Sequence, residues 1–309
     1  MKVLFMGTPD FAVATLESII KAGHEVVGVV TQPDKPKGRG KAVQYTPVKE
    51  KALEYNIPVY QPIKVREDSV IEELTKLQPD IGVVAAFGQI LPQKLLDMPT
   101  NGCVCVHGSL LPKYRGAGPI QWAVIDGEPV SGITIMQMDA GIDTGDMISK
   151  VEVPITSTET GGSLHDKLAV AGADLLIETL KMFEEGNVVR EKQDDSKSNY
   201  AVRLTKELGQ MDFAKTAKEL ERLIRGLNPW PSAYTSLNGK TLKVWEAEVI
   251  EKQYDGEQGE IVDVTKDAIY VKTADGILAL KEIQLEGKKR MDVSSFLRGF
   301  TIEKGTKLG

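Results

Sequence analysis

The sequence predicts an α/β protein. A Rossmann-like domain is expected over residues 1–190, a connecting stretch over 191–206, and a smaller C-terminal β-barrel of OB-like type over 207–309. Three observations carry this reading. Short apolar runs alternate with helix-length amphipathic segments as far as Glu185, the pattern of a parallel sheet with helices on both faces. The stretch from Glu191 to Asn199 is polar, with Asp194, Asp195, Ser196, Lys197 and Ser198 in succession. Beyond it come short strand-like runs separated by turn residues, the pattern of a small barrel.

Each element has its own signal. Lys2 to Met6 is a short apolar strand that stops at Gly7, and Phe11 to Ala22 spaces Phe11, Leu16, Ile19 and Ile20 as one helical face. Val26 to Val30 is the next strand, followed by a helix over Lys49 to Tyr55, a short strand near Val59 and a helix over Ser69 to Leu77. Ile81 to Ala86 reads as a buried strand, and Gly102 to Val106 as another. A strand around Met147 to Val153 precedes an amphipathic helix from Ser163 to Glu185, which Gly186 ends. In the C-terminal part a helix near Thr216 to Leu227 leads into strands at Thr241 to Val249, Gly259 to Val264, Ala268 to Thr273 and Gly276 to Leu280. Gly7-Thr8-Pro9-Asp10 is not Gly-x-Gly-x-x-Gly, so a dinucleotide cofactor is not indicated.

Composition narrows the functional classes. At 309 residues the chain can bury two cores. No apolar stretch approaches the roughly 20 residues that span a bilayer. Met1-Lys2-Val3-Leu4-Phe5 enters a strand directly, without the pattern of a signal peptide, so a cytoplasmic protein is expected, and a monomer. The formal net charge of −6 speaks against wholesale nucleic-acid binding. Locally the balance reverses: Lys35, Lys37, Arg39 and Lys41 form a run of four cations without an acid, which reads either as a solvated loop or as a grip on phosphate.

Residues 105 to 119 hold the densest chemical signal. The β-branched run Val104-Cys105-Val106 delivers His107 to a segment in which Gly108, Pro112, Gly116, Gly118 and Pro119 break both strand and helix. An imidazole at a strand end is a candidate for acid–base work, whereas His24 and His165 sit in ordinary helical or turn context. Cys103, Cys105 and His107 share one strand face about 6.6 Å apart per step. That spacing disfavours a disulfide, a zinc site, whose ligands converge at about 2.0 to 2.3 Å, and a Cys–His nucleophilic pair. No metal is expected.

This segment resembles the formyltransferase family that uses 10-formyltetrahydrofolate. There a strand carries Asn-x-His, a Ser-Leu-Leu-Pro turn follows, and an Asp comes later in a Leu-Asp-Thr-Gly-Asp-like loop. Here the corresponding residues are His107, Ser109-Leu110-Leu111-Pro112 and Asp143 within Ile142-Asp143-Thr144-Gly145-Asp146, with Cys105 in place of the family Asn. Gly7-Thr8-Pro9-Asp10-Phe11-Ala12, Thr31-Gln32-Pro33-Asp34, Gly38-Arg39-Gly40-Lys41 and Asn228-Pro229-Trp230-Pro231-Ser232-Ala233-Tyr234-Thr235 are similar to the branch that formylates methionyl-tRNA. The resemblance spans nearly the whole chain.

The resemblance implies a catalytic N-terminal domain, a tRNA-binding C-terminal domain, 10-formyltetrahydrofolate as co-substrate and initiator methionyl-tRNA as acceptor. It implies that Asp143, 36 positions after His107, stands beside that ring, although Asp-Thr-Gly is also turn chemistry in its own right. Ser109, Leu110, Leu111 and Pro112 would shape the folate slot; Lys35, Lys37, Arg39 and Lys41 would meet tRNA. Two other readings stay open: formylation of another amine, such as a nucleotide precursor or an amino sugar, and a catalytically weak folate- or RNA-binding protein, because the amide at Cys105 is lost.

Overall fold

The structure, a computed structural model, describes residues 1–37 and 42–309. Expected tRNA-binding residues Arg39 and Lys41 therefore lie outside the described residues. In chain order the elements are β1 (Lys2–Gly7), α1 (Asp10–Lys21), β2 (Glu25–Val30), β3 (Lys35–Lys37), β4 (Ala42–Gln44), α2 (Pro47–Glu54), β5 (Val59–Tyr60) and α3 (Asp68–Thr75). There follow β6 (Ile81–Ala85), α4 (Gln93–Leu96), β7 (Cys103–His107), β8 (Arg115–Gly116), α5 (Pro119–Asp126), β9 (Val130–Gln137), β10 (Met147–Pro154), α6 (Gly161–Glu185) and β11 (Tyr200–Ala201). The remainder are α7 (Ala217–Gly226), β12 (Ala233–Leu237), β13 (Lys240–Ile250), β14 (Ile261–Val264), β15 (Ile269–Lys272), β16 (Ile277–Leu285), β17 (Met291–Asp292) and α8 (Val293–Leu297).

These elements divide between two compact units. Unit one comprises Met1–Gly116, Val130–Pro154 and His165–Ala201; unit two comprises Ala117–Pro129, Ile155–Leu164 and Val202–Gly309. The division differs from a single break between 191 and 206. Ala117–Pro129 groups with unit two because Trp122 and Ile125 of α5 pack against that unit's core, and Arg222 Nη1 on α7 donates to Asp126 O at 3.3 Å.

Unit one is built on a seven-stranded sheet in the order β10-β9-β7-β6-β1-β2-β5. β1, β2, β5, β6 and β7 run parallel, and β6 and β7 are buried along their whole length, as strands covered on both faces must be. β9 pairs antiparallel with β7, and β10 antiparallel with β9, whose sequence Val-Ser-Gly-Ile-Thr-Ile-Met-Gln lay unassigned in the strand pattern above. Phe11, Leu16 and Ile19 bury the face of α1 that their spacing predicts. α2 opens with Thr46 accepting from Lys49 N and with Pro47 in its first turn.

Unit two carries an antiparallel sheet in the order β12-β13-β16-β15-β14, with β17 on β16. Asn238 and Gly239, at φ 51° and 76°, close the β12–β13 hairpin, the backbone that Asn-Gly supplies readily. Register shifts between Val244 and Ala247 bend the long β13–β16 pair around a core of Leu220, Leu223, Ile224, Leu242, Leu278 and Leu280. Single bridges from Gln210 to Tyr234 and from Glu260 to Lys307 flank the two ends of the sheet. Among the described residues no helix is long and apolar enough to cross a membrane.

Candidate functional site

His107 is the last residue of β7, wedged between β6 and β9, and its side chain is 6% exposed. The ring Nε2 stands 2.9 Å from Tyr114 O. A carbonyl oxygen only accepts, so Nε2 carries a hydrogen and donates it. Nδ1 is then the ring atom left to exchange a proton, and Asp143 Oδ2 lies 3.7 Å from it. The same carboxylate oxygen accepts from Gly116 N at 2.8 Å. The expected pair therefore meets across a gap slightly longer than a hydrogen bond, with a backbone amide fixing the acid.

The turn after β7 is pinned to β9. Thr134 Oγ1 donates to Ser109 O at 2.7 Å and accepts from Leu111 N at 3.0 Å, while Ser109 Oγ donates to Lys113 O at 2.6 Å. Of the two leucines expected to wall a slot, Leu111 is buried in the core of unit one and Leu110 is half-buried. Gly116, at φ 106°, turns the chain so that its N–H reaches Asp143.

Asp143 itself sits at φ 55° in the loop between β9 and β10. Asp139 shapes this loop, accepting from Gly141 N at 3.0 Å and from Thr144 Oγ1 at 2.7 Å. Between Gln89 to Leu91 on one side and Met138 to Asp143 on the other lies a cavity of about 130 Å³. Asp143 thus borders both the cavity and the histidine.

Cys105, one step back on His107's face, is 8% exposed among Val84, Met136 and other apolar side chains. Burial, with the Asp143 charge as a smaller contribution, pushes its thiol well above the ordinary range, so it stays protonated. A buried protonated thiol is a poor nucleophile. Cys103 turns toward Leu95 O, at 3.7 Å, and burial pushes it up to about 12. Both cysteines are free.

The segment expected to be a connection belongs to the site. Gln193 Nε2 donates to Asp143 O at 2.8 Å and Gly145 O at 2.7 Å, and its Oε1 accepts from Arg115 Nε and Nη2 at 3.0 and 2.9 Å. Arg115, 4% exposed, also reaches Asp195 Oδ1 at 2.7 Å. Asn199 accepts from Tyr114 N through its side chain and from Arg115 N through its carbonyl, and β11 pairs with β8. Sequence reading passed over Gln193 and Asn199 because polar composition looks the same whether side chains meet water or backbone.

Elsewhere in unit one, Lys35 is exposed on β3. Gln61 Nε2 donates to Asp34 Oδ1 at 2.8 Å and Lys49 pairs with the same carboxylate, anchoring the base of the β3–β4 hairpin. Unit two holds a larger cavity, about 1070 Å³, lined in part by Arg222, Arg225, Trp245 and Arg290. Arg225 pairs with Glu221 and Arg290 with Glu282, and the Arg290 guanidinium stacks 4.5 Å from the Trp245 ring centroid. It contains no histidine, and volume alone does not make it the reactive centre.

A buried histidine at the end of a parallel strand, facing a half-buried loop aspartate and followed by an antiparallel domain, coincides with a known class. The formyl transferase family matches residues 1–180, and the formyl transferase C-terminal domain matches residues 203–301. The chain belongs to the formyl transferase family. A methionyl-tRNA formyltransferase of Agathobacter rectalis is 59% identical over 306 residues, 99% of both chains, and that of Clostridioides difficile is 53% identical over 309 residues, 100% of both. An N-formyltransferase structure from Helicobacter canadensis, in complex with folinic acid and dTDP-3-aminofucose, shares the fold with TM-score 0.70 at 21% identity, covering 94% of this chain and 100% of that one.

Proposed function

We propose that this chain transfers the formyl group of 10-formyltetrahydrofolate to the amino group of methionine on initiator tRNA, with His107 moving the proton and Asp143 holding the ring. Full-length identity of 59% and 53% to methionyl-tRNA formyltransferases supports the acceptor. The observation that carries the chemistry is the His107 ring itself: Nε2 is committed to Tyr114 O, and Nδ1 faces a carboxylate that Gly116 N holds in place.

The attacking amine must shed a proton, and the departing nitrogen must gain one. Nδ1 can take the first and return it, while Asp143 stabilises the ring when it is charged. Folate, when bound, supplies the formyl carbon and a nitrogen leaving group. The cavity between Gln89–Leu91 and Met138–Asp143 suits an aromatic head group, because Ile90, Leu91, Met138 and Ile142 are apolar and backbone groups border them. The Ser109–Pro112 turn acts from behind, with Leu111 packed in the same core cluster as Leu91. Cys105 leaves a weak donor where the family has an amide, so the charged His107 ring, or a water, serves the developing oxyanion. Lys35, Lys37, Arg39 and Lys41 grip the tRNA backbone together with the C-terminal unit, and the reaction runs in the cytoplasm.

Transfer of labelled formyl to charged initiator tRNA tests this reading against an amino-sugar nucleotide as the alternative acceptor. Product on methionyl-tRNA alone is expected; turnover only with the sugar nucleotide, or with neither, contradicts it. Arg39→Ala should raise KM for tRNA, leave that for folate unchanged and lower the salt dependence by about one contact. A raised folate KM with an unchanged tRNA KM removes Arg39 from the tRNA surface.

A further inference from the structure

We infer that Gln193 is a positioning residue for the reaction: its side-chain amide holds the Asp143 loop in the conformation that aims the carboxylate at His107. The inference rests on the reading of His107 and Asp143 as the working pair. Its physical basis is the geometry of one amide. Both Nε2 hydrogens are used, one on Asp143 O at 2.8 Å and one on Gly145 O at 2.7 Å. Oε1 takes the Arg115 guanidinium through Nε at 3.0 Å and Nη2 at 2.9 Å. A guanidinium only donates and carbonyls only accept, so the amide has one orientation that satisfies every partner.

The two loops joined in this way are the two that build the pair. Arg115 lies between Tyr114, whose carbonyl takes His107 Nε2, and Gly116, whose N–H holds Asp143 Oδ2. Asp143 at φ 55° occupies the left-handed region, uncommon for residues other than glycine although Asp enters it more readily than most, so local contacts decide whether it stays there. Gln193 supplies such a contact at the carbonyl of that very residue. Released from it, the Asp143 end of the loop relaxes and the carboxylate leaves Nδ1, while Asp139, bonded to Gly141 N and Thr144 Oγ1, and the Gln89–Leu91 stretch keep the rest of the cavity wall.

Two substitutions separate the two ends of the amide. Gln193→Leu removes both ends; Gln193→Glu keeps an acceptor for Arg115 but sets a carboxylate against two carbonyl oxygens. Steady-state formyl transfer on the full-length protein should show kcat lowered by about 10- to 100-fold in both variants, as small displacements of reacting groups do. KM for folate and for tRNA should stay within about twofold, with the thermal midpoint of Gln193→Glu close to that of the unsubstituted protein. Unchanged kcat in Gln193→Glu overturns the inference, since the Arg115 tie alone would then suffice; so does a loss that appears in KM. Adding Gln193→Leu to Asp143→Asn should cost less than twofold further, because the carboxylate it positions is gone. A multiplicative further loss also overturns it. Should Asp143→Asn alone turn over normally, the catalytic-pair reading fails instead, whatever Gln193 does.

Discussion

The two halves of the His107–Asp143 site are held by different forces. On the strand half, β7 lies between β6 and β9 with Cys103, Val104, Cys105 and Val106 all buried, and the ladder registers place His107 opposite Thr134. On the loop half, Met138 to Asp146 lies outside the sheet. Asp139, Gly116 and Gln193 shape it through hydrogen bonds to backbone and carboxylate. The strand half is positioned by apolar burial and ladder pairing, which tolerate little change without loss of stability. The loop half is positioned by a few polar contacts, so substitutions there should move turnover more than stability.

The largest effect should come from the strand end. His107→Ala is expected to lower kcat by about 10² to 10⁴, the range for removing a general acid–base, with folate binding largely retained. Single-turnover formyl transfer measures it, and near-normal rates would reduce His107 to scaffold.

Cys105→Asn sharpens the comparison, since it changes chemistry and burial together. Restoring an amide donor should raise kcat by roughly 10-fold, given that one oxyanion donor is typically worth on the order of 10² to 10³. Inserting that amide among apolar neighbours should cost about 1–3 kcal/mol of stability. Urea unfolding alongside single-turnover rates reads both. If Cys105→Asn and Cys105→Ser instead abolish transfer, the thiol itself takes part; an unchanged kcat shows that this position does not limit the chemistry.

The effect that leaves turnover at neutral pH untouched is the alkaline signature of burial. Cys103 is raised from 9.0 to about 12. Below pH 9 the thiol is protonated in both folded and unfolded chains, and its contribution is fully present. Between pH 9 and 12 the unfolded thiol ionises while the folded one keeps its proton, so stability falls as pH rises. Within that window the unsubstituted protein should lose about 1.4 kcal/mol more per pH unit than Cys103→Ala. Parallel pH dependences of the two proteins would show that this thiol ionises equally well in the fold.

The strand half was legible in the sequence for the same reason that it is rigid. Apolar runs such as Ile81 to Ala85 and Cys103 to His107 declare buried strands, and the glycines and prolines after His107 declare where the second one ends. Asp143 was reachable only through resemblance, because nothing in Asp-Thr-Gly distinguishes a turn from a partner for a distant ring. β9 carried a strand signal in Ile133-Thr134-Ile135-Met136, but it lies between two glycine-rich loops and went unassigned. Gln193, Asn199 and Arg115 had no periodic signal at all. Their role comes from where the fold returns the chain between α6 and β11, beside loops nearly eighty residues earlier in sequence. The assignment of Ala117–Pro129 and Ile155–Leu164 to unit two was hidden likewise, since packing across sequence gaps leaves no local pattern.

Single-turnover formyl transfer by Asp143→Asn, with saturating folate donor and charged initiator tRNA, tests the central claim most directly. The substitution keeps an oxygen that can accept from Gly116 N and removes only the charge facing Nδ1. The rate should fall by about 10² to 10⁴, with the thermal midpoint little changed. A rate within a few-fold of the unsubstituted protein would contradict the account, leaving the carboxylate as a turn residue and His107 without its partner.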